Sequence, residues 1–126
     1  MNRLHLGIGL LGVLLAAGIA TTCLFHHIFT PLAQTLEEAG SIALAGNWEQ
    51  AQDLAQQAYT TWLRFRNITA AAADHAPLEQ IEQLFSNLQV YQTLGLRSEF
   101  AAICAQLAQM AAAMEEAQAA HWWSLL

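Results

Sequence analysis

The chain has 126 residues, of which 56% are hydrophobic and only 11% are charged, and its formal net charge is −6. This length leaves room for one domain after an apolar leader, and the abundance of alanine favours closely packed helices over a sheet. Beyond residue 30, three arginines stand against ten carboxylates, so the chain offers no basic surface for nucleic acid.

The N-terminal segment from Leu6 to Phe25 is apolar and carries no charge. Its 20 residues match the roughly 30 Å hydrocarbon core of a bilayer at about 1.5 Å per residue. Arg3 precedes the segment, and the next charges are Glu37 and Glu38, so the positive-inside rule places the N-terminus in the cytoplasm. The sequence predicts a single-pass signal anchor over residues 1–30, in the cell membrane, and an extracytoplasmic domain over residues 31–126.

A cleaved signal peptide is the alternative, because Gly18-Ile19-Ala20 places small residues where a signal peptidase cuts. The apolar run is longer than a typical signal peptide core, which favours the uncleaved anchor. A lipoprotein is disfavoured, because the residues before Cys23 do not fit a lipidation motif.

Small residues recur every four positions within the anchor, at Gly12, Ala16 and Ala20. Such a stripe allows a second transmembrane helix to approach closely, either in a homodimer or in a partner protein. The alternative is that these residues simply face lipid, since glycine and alanine are frequent in membrane helices.

Four segments of the remaining chain carry apolar residues at steps of three and four, which is typical of helices with one buried face. The predicted helices span 31–45, 48–72, 77–94 and 99–119. Pro31 is expected to kink or restart the chain, and Gly46 and Gly95 are expected to end two helices. We predict an all-α fold, in which the transmembrane helix is followed by an antiparallel bundle of about four helices in two hairpins. The positions expected in its core are Leu32, Leu36, Ala39, Ala43, Trp48, Ala51, Ala55, Ala58, Trp62, Phe65, Thr69, Leu78, Ile81, Phe85, Leu88, Tyr91, Phe100, Ile103, Leu107, Met110, Met114 and Ala117.

A set of residues spread along the chain resembles a family of small membrane-anchored proteins from clostridial-type bacteria, known as a domain of unknown function. The residues that carry the resemblance are Asn47-Trp48, Ala51, Trp62, the stretch His75 to Ile81, Leu84 and Leu88. The chain differs from the family in its lack of lysine, in Pro77 and in its Trp-Trp-Ser-Leu-Leu ending. The resemblance implies the same anchored helical architecture and supplies no activity or catalytic residue.

Cys23, His26 and His27 form a dense group of potential metal ligands, and Cys23 and His27 lie one helical turn apart. A closed metal or haem site needs more ligands than one helix face supplies, so such a role would require a second chain. The alternative, which we favour, is that the histidines lie at the lipid headgroups. We therefore predict no metal and no cofactor.

Asp74 and His75, with Glu79 one turn later, have the residue types of a base and the group that orients it. No serine or cysteine nucleophile lies near them in the sequence, which favours a structural role at the start of the third helix. Phosphate-binding loops and zinc motifs are absent from the sequence. We predict that the protein is not an enzyme.

The C-terminus is apolar beyond the last periodic helix, with Trp122, Trp123, Leu125 and Leu126 among its final residues. Four large apolar side chains are too many to leave in water without a partner. We expect this tail to fold back over the groove between the second and fourth helices; lipid and a protein partner are the alternatives.

These features predict an accessory or assembly protein that acts by binding at the outer face of the membrane. The first alternative is a sensor-type ligand-binding bundle. The second is a cofactor-binding subunit that uses Cys23, His26 and His27.

Overall fold

In the computed structural model, which describes residues 2–72 and 75–124, the chain is helical throughout apart from two short turns. Residues 70–72, 75, 121 and 122 are described by their backbone alone. The helices are α1 (Asn2–Leu44), α2 (Trp48–Ala72), α3 (His75–Leu94) and α4 (Arg97–Ser124), and the described residues contain no strand. The predicted all-α class is confirmed.

The predicted restart of the chain at Pro31 is wrong, because α1 continues through Pro31 as one helix of 43 residues. A proline inside a helix removes one backbone hydrogen bond and costs about 3 kcal/mol. The buried positions Phe29 and Leu32 keep the same helix face against the bundle on both sides of the proline. Burying each such side chain contributes roughly 1.5–3 kcal/mol, so packing outweighs the local defect.

The bundle is built around the pairing of α1 with α4, which is the most extensive contact between helices, followed by α1 with α2 and α3 with α4. The two helices run antiparallel, since Gly40 lies beside Ala101 and Cys104 while Thr30 contacts Glu115. A Cβ atom built on Gly40 would lie 3.3 Å from the Cβ atom of Cys104. Glycine at this position therefore lets the two backbones approach closely.

The core contains most of the predicted positions, which confirms the three-and-four spacing in all four segments. Trp48, Phe65, Tyr91 and Met110 pack at its edge and are partly buried. Ala117 is exposed, so that prediction is wrong. The core also contains residues that the periodicity did not identify, namely Phe25, Ile28, Phe29, Cys104, Ala108 and Ala111. The first three precede residue 30, so the predicted division between anchor and domain does not coincide with the edge of the core.

Both turns at the end of the bundle away from the N-terminus contain a glycine that follows the helix end, as predicted. Gly46 and Gly95 have φ angles of +100° and +70°, a region that glycine enters without steric penalty. After each glycine the next amide closes the helix end, with Asn47 N–H bonded to the Ile42 carbonyl and Leu96 N–H to the Tyr91 carbonyl. These turns bring the start of α4 against the start of α2.

Candidate functional site

The N-terminal part of α1 stands apart from the bundle. Every described residue from Asn2 to Ala17 is exposed. By length and composition α1 is a candidate membrane span, with a mean hydropathy of 2.2 over its most apolar window. A long apolar helix in this position fits a membrane anchor or a signal sequence. This confirms the prediction that the chain has one N-terminal helix long and apolar enough to cross a membrane.

A polar cluster joins α1 to α4 just beyond Phe25, where the apolar run of α1 ends. Thr30 Oγ1 donates a hydrogen bond to Glu115 Oε2 over 2.7 Å, and His26 Nδ1 contacts the other carboxylate oxygen. Thr30 Oγ1 and His26 Nδ1 are 3.3 Å apart. Protonated His26 would form an ion pair with Glu115. The two helices are thus clamped by side chains that lie 85 and 89 positions apart in the sequence.

The environment of Glu115 acts on its acidity in two directions. Partial burial raises its pKa, whereas the hydrogen bonds from Thr30 and His26 and the charge of His26 lower it. The lowering effects prevail, and the pKa of Glu115 lies below its ordinary value of 4.5. The carboxylate is therefore ionised at neutral pH and is a stable acceptor for both partners.

A cavity of about 390 Å³ opens beside this cluster. The structure brings the predicted group Cys23, His26 and His27 together there with Glu115 and Glu116 of α4. In the described part of the chain, no three His, Cys, Asp or Glu side chains are grouped closely enough to hold a metal ion. The two glutamates were not predicted as members of this site. Their sequence signal was the acidic pair itself, because no other Asp, Glu, Lys or Arg follows Glu99 in α4.

The predicted packing stripe of the anchor is open on its outer side. Gly12, Ala16 and Ala20 are all exposed, and no other atom lies within 4 Å of a Cβ built on Gly12. The stripe is accessible to lipid or to another helix. The predicted homodimer or partner contact at these residues stays a prediction.

The C-terminal tail does not fold back within the described residues, so that expectation is wrong there. Helix α4 continues to Ser124, five residues beyond its predicted end, because no glycine or proline interrupts the alanine-rich segment before it. Trp123 is 59% exposed. The side chain of Trp122, and Leu125 and Leu126 altogether, lie outside what the structure describes.

Of the predicted pair Asp74 and His75, Asp74 lies outside the described residues, and His75 is described by its backbone as the first residue of α3. Glu79 is exposed on the same helix. The structural role that we predicted for this group stays a prediction.

A small crevice lies between α2 and α3, which share less contact than the other neighbouring helices. It measures about 120 Å³ and is crossed by an ion pair of 3.0 Å between Arg66 and Glu82. Trp62 also lines it, and the buried Nε1 of this indole has no hydrogen-bond partner among the described residues. This crevice could not be predicted from the sequence, because Arg66 and Glu82 have the spacing of ordinary exposed positions.

Comparison with known proteins adds no relative to this description. No family model matches the chain, and no curated protein or solved structure shows significant similarity to it. The resemblance to the clostridial family of unknown function stays a prediction.

Proposed function

We propose that the chain is a membrane-anchored accessory or assembly protein, whose helical bundle stands on the outer face of the membrane and binds a protein partner. The observation that carries this proposal is the continuity of α1. One helix supplies both the exposed apolar stretch and a buried wall of the bundle, from Phe25 to Ala43. A bundle attached in this way has a fixed height and orientation on the membrane, as a docking platform requires.

The end of the bundle farthest from the anchor carries the surface suited to a partner. The turns after α1 and after α3 meet there, since Trp48 packs edge-on against Phe100 with ring centres 4.9 Å apart. Leu44, Leu94 and Leu96 are exposed on these turns. Arg97 lies over the Trp48 ring, 5.8 Å from its centre, beside these leucines. Apolar side chains with one arginine and an aromatic ring are typical of protein interfaces.

The orientation is tested with a reporter that is active only outside the cytoplasm, fused after Leu126. We expect activity with the natural sequence and a loss of activity when Arg3→Glu is combined with Glu37→Arg and Glu38→Arg, which inverts the charge bias. Recovery of a soluble protein beginning near Thr21 would contradict the uncleaved anchor.

Partner binding is tested by photo-crosslinking in intact cells. A photoreactive residue at Leu44 or Leu94 is expected to capture the same protein, and one at Glu79, near the other end of α3, is expected not to capture it. The same product from all three positions, or no product from Leu44 and Leu94, would contradict a partner at this end of the bundle.

The crevice between α2 and α3 gives little support to the ligand-binding alternative, because small-molecule pockets usually measure roughly 300–1,000 Å³. The volume of this crevice is well below that range, at about 120 Å³.

The cavity beside Cys23 is large enough for a small molecule, at about 390 Å³. The cofactor-binding alternative would therefore gain support if the purified full chain showed a visible absorption band that His26→Ala removed.

A further inference from the structure

We propose that the C-terminal end of α4 is a second membrane-inserted element, which lies beside the anchor in the outer leaflet and exposes Trp123 to lipid. This inference rests on the proposed membrane anchor and adds a lipid contact to it. It follows from three observations on α1 and α4.

The first observation is that the free part of α1 is too short to cross a bilayer alone. Its apolar exposed segment, Leu6 to Ala17, is about 18 Å long at 1.5 Å per residue. The hydrocarbon core is about 30 Å thick, so roughly 12 Å of the crossing must come from later residues. Those residues reach to about Phe25, the last residue of the apolar run before His26 and His27.

The second observation is that these later residues are not free of the bundle. Gly18 and Phe25 are buried, and Thr21 and Thr22 between them are half-buried. These residues are three or four positions apart, as are the buried residues that follow them on α1. The face of α1 that packs in the bundle therefore extends into the part of α1 that must lie in the membrane.

The third observation is the register of the two antiparallel helices. Gly40 lies beside Cys104, and Thr30 and His26 contact Glu115. Extending this register at equal rise places Trp123 level with about residues 18–22 of α1. The end of α4 therefore runs alongside the outer part of the membrane span.

The chemistry of this end of α4 agrees with the position. Glu116 is the last acidic residue, and no Asp, Glu, Lys or Arg follows it in the sequence. The register places Trp123 roughly 5–10 Å inside the end of the apolar run at Phe25. Tryptophan is enriched near membrane interfaces because its ring is apolar and its N–H can reach water or headgroups. The clamp of His26, Thr30 and Glu115 then lies just outside the hydrocarbon core.

The test uses the full chain reconstituted in phosphatidylcholine vesicles with or without bromine on the acyl chains, since bromine quenches tryptophan that touches it. We expect bromine to reduce the emission of the natural chain. Trp123→Phe should lower the emission that bromine removes. Trp48→Phe, at the opposite end of the bundle, is the matched control and should leave the bromine-sensitive emission unchanged.

Flotation of the same vesicles separates the two proposals. A chain that does not float with lipid contradicts the anchor and this inference together. A chain that floats, while Trp123→Phe leaves the bromine-sensitive emission unchanged, contradicts the inference alone and places Trp123 in water or under a protein partner. A helical circular dichroism spectrum equal to that of the natural chain verifies that each variant is folded.

Discussion

Thr30 on α1 and Glu115 on α4 are joined by a hydrogen bond of 2.7 Å, about one helical turn beyond the end of the apolar run of α1 at Phe25. His26 contacts the same carboxylate from one turn earlier on α1. A single carboxylate thus receives two partners from α1. This contact ties α4 to α1 just beyond the apolar N-terminal run that ends at Phe25.

The contact predicts an acid-dependent stability. Because the pKa of Glu115 is lowered on folding, the ionised carboxylate contributes stability that is complete above its ordinary value of 4.5 and is lost as the pH falls through the folded-state pKa. Glu115→Gln is expected to lower the free energy of unfolding at neutral pH by roughly 0.5–1.5 kcal/mol. It should also flatten the decline of stability below the ordinary pKa. Thermal unfolding of the full chain in detergent, followed by circular dichroism across this pH range, measures both effects.

The control is Glu116→Gln, which removes a neighbouring charge that faces the same cavity but has no part in the clamp. Its effect on stability should be smaller. Equal effects of the two substitutions would attribute the acid dependence to general repulsion between charges and would contradict the clamp.

Trp62 is expected to be the most costly single side chain to truncate. It is 1% exposed, and its ring stacks on Phe85 of α3 with centres 6.3 Å apart. Trp62→Ala should lower the free energy of unfolding by roughly 3–5 kcal/mol, measured by denaturant titration. Its neighbour Leu63, which is 42% exposed, is the control, and Leu63→Ala should cost less than about 1 kcal/mol. Similar values for the two would show that α2 is rotated relative to the bundle.

The helices of the bundle could be predicted because their apolar residues alternate with polar ones. Trp62 and Phe85 each belong to a series of apolar residues at steps of three and four, and Gly46 and Gly95 mark turns by their backbone freedom. This contrast is absent in the leader. Phe25 belongs to the core, but it lies in a run where nearly every residue is apolar, so spacing could not distinguish a core position from a lipid-facing one.

The clamp could not be predicted, for a different reason. The sequence showed His26 and Glu115 as separate polar residues, and their pairing depends on the register between α1 and α4. That register is set by close contacts such as Gly40 with Cys104, which no local pattern specifies. For the same reason α4 was predicted to end too early, since the alanines before Trp122 give little sign of which face is buried.

The two cysteines are expected to differ sharply in reactivity. Cys104 is fully buried between α4 and α1, and burial raises the pKa of its thiol to about 12. Cys23 is exposed on α1. Cys23 also lies only about 3 Å from the end of the apolar run at Phe25, within reach of the aqueous boundary of the proposed anchor. A membrane-permeable maleimide should therefore add one label to the folded chain and two labels to the denatured chain, as counted by mass spectrometry.

Cys23→Ser provides the control for this experiment, because it should leave no label on the folded chain and one label on the denatured chain. Labelling of Cys104 in the folded chain at a rate near that of the denatured chain would show that α1 and α4 separate readily. Such a result would contradict the close approach at Gly40.

The passage of α1 through Pro31 leads to a final prediction. Proline cannot donate a backbone hydrogen bond to the residue one turn earlier, which is His27, and its ring crowds that carbonyl. Pro31 is itself exposed, so the bundle loses little packing if its ring is removed.

Pro31→Ala restores the donor and is expected to raise the free energy of unfolding by roughly 1–3 kcal/mol, measured by thermal and denaturant unfolding in detergent. Gln34→Ala, at the next exposed position along α1, is the control and should change stability by less than about 0.5 kcal/mol. If Pro31→Ala instead lowers stability, the proline is needed for the fit of α1 against α4, where His26 and Thr30 contact Glu115. In that case Pro31→Ala should also weaken the acid dependence that Glu115 imposes, whereas a simple gain of one backbone hydrogen bond should leave it unchanged.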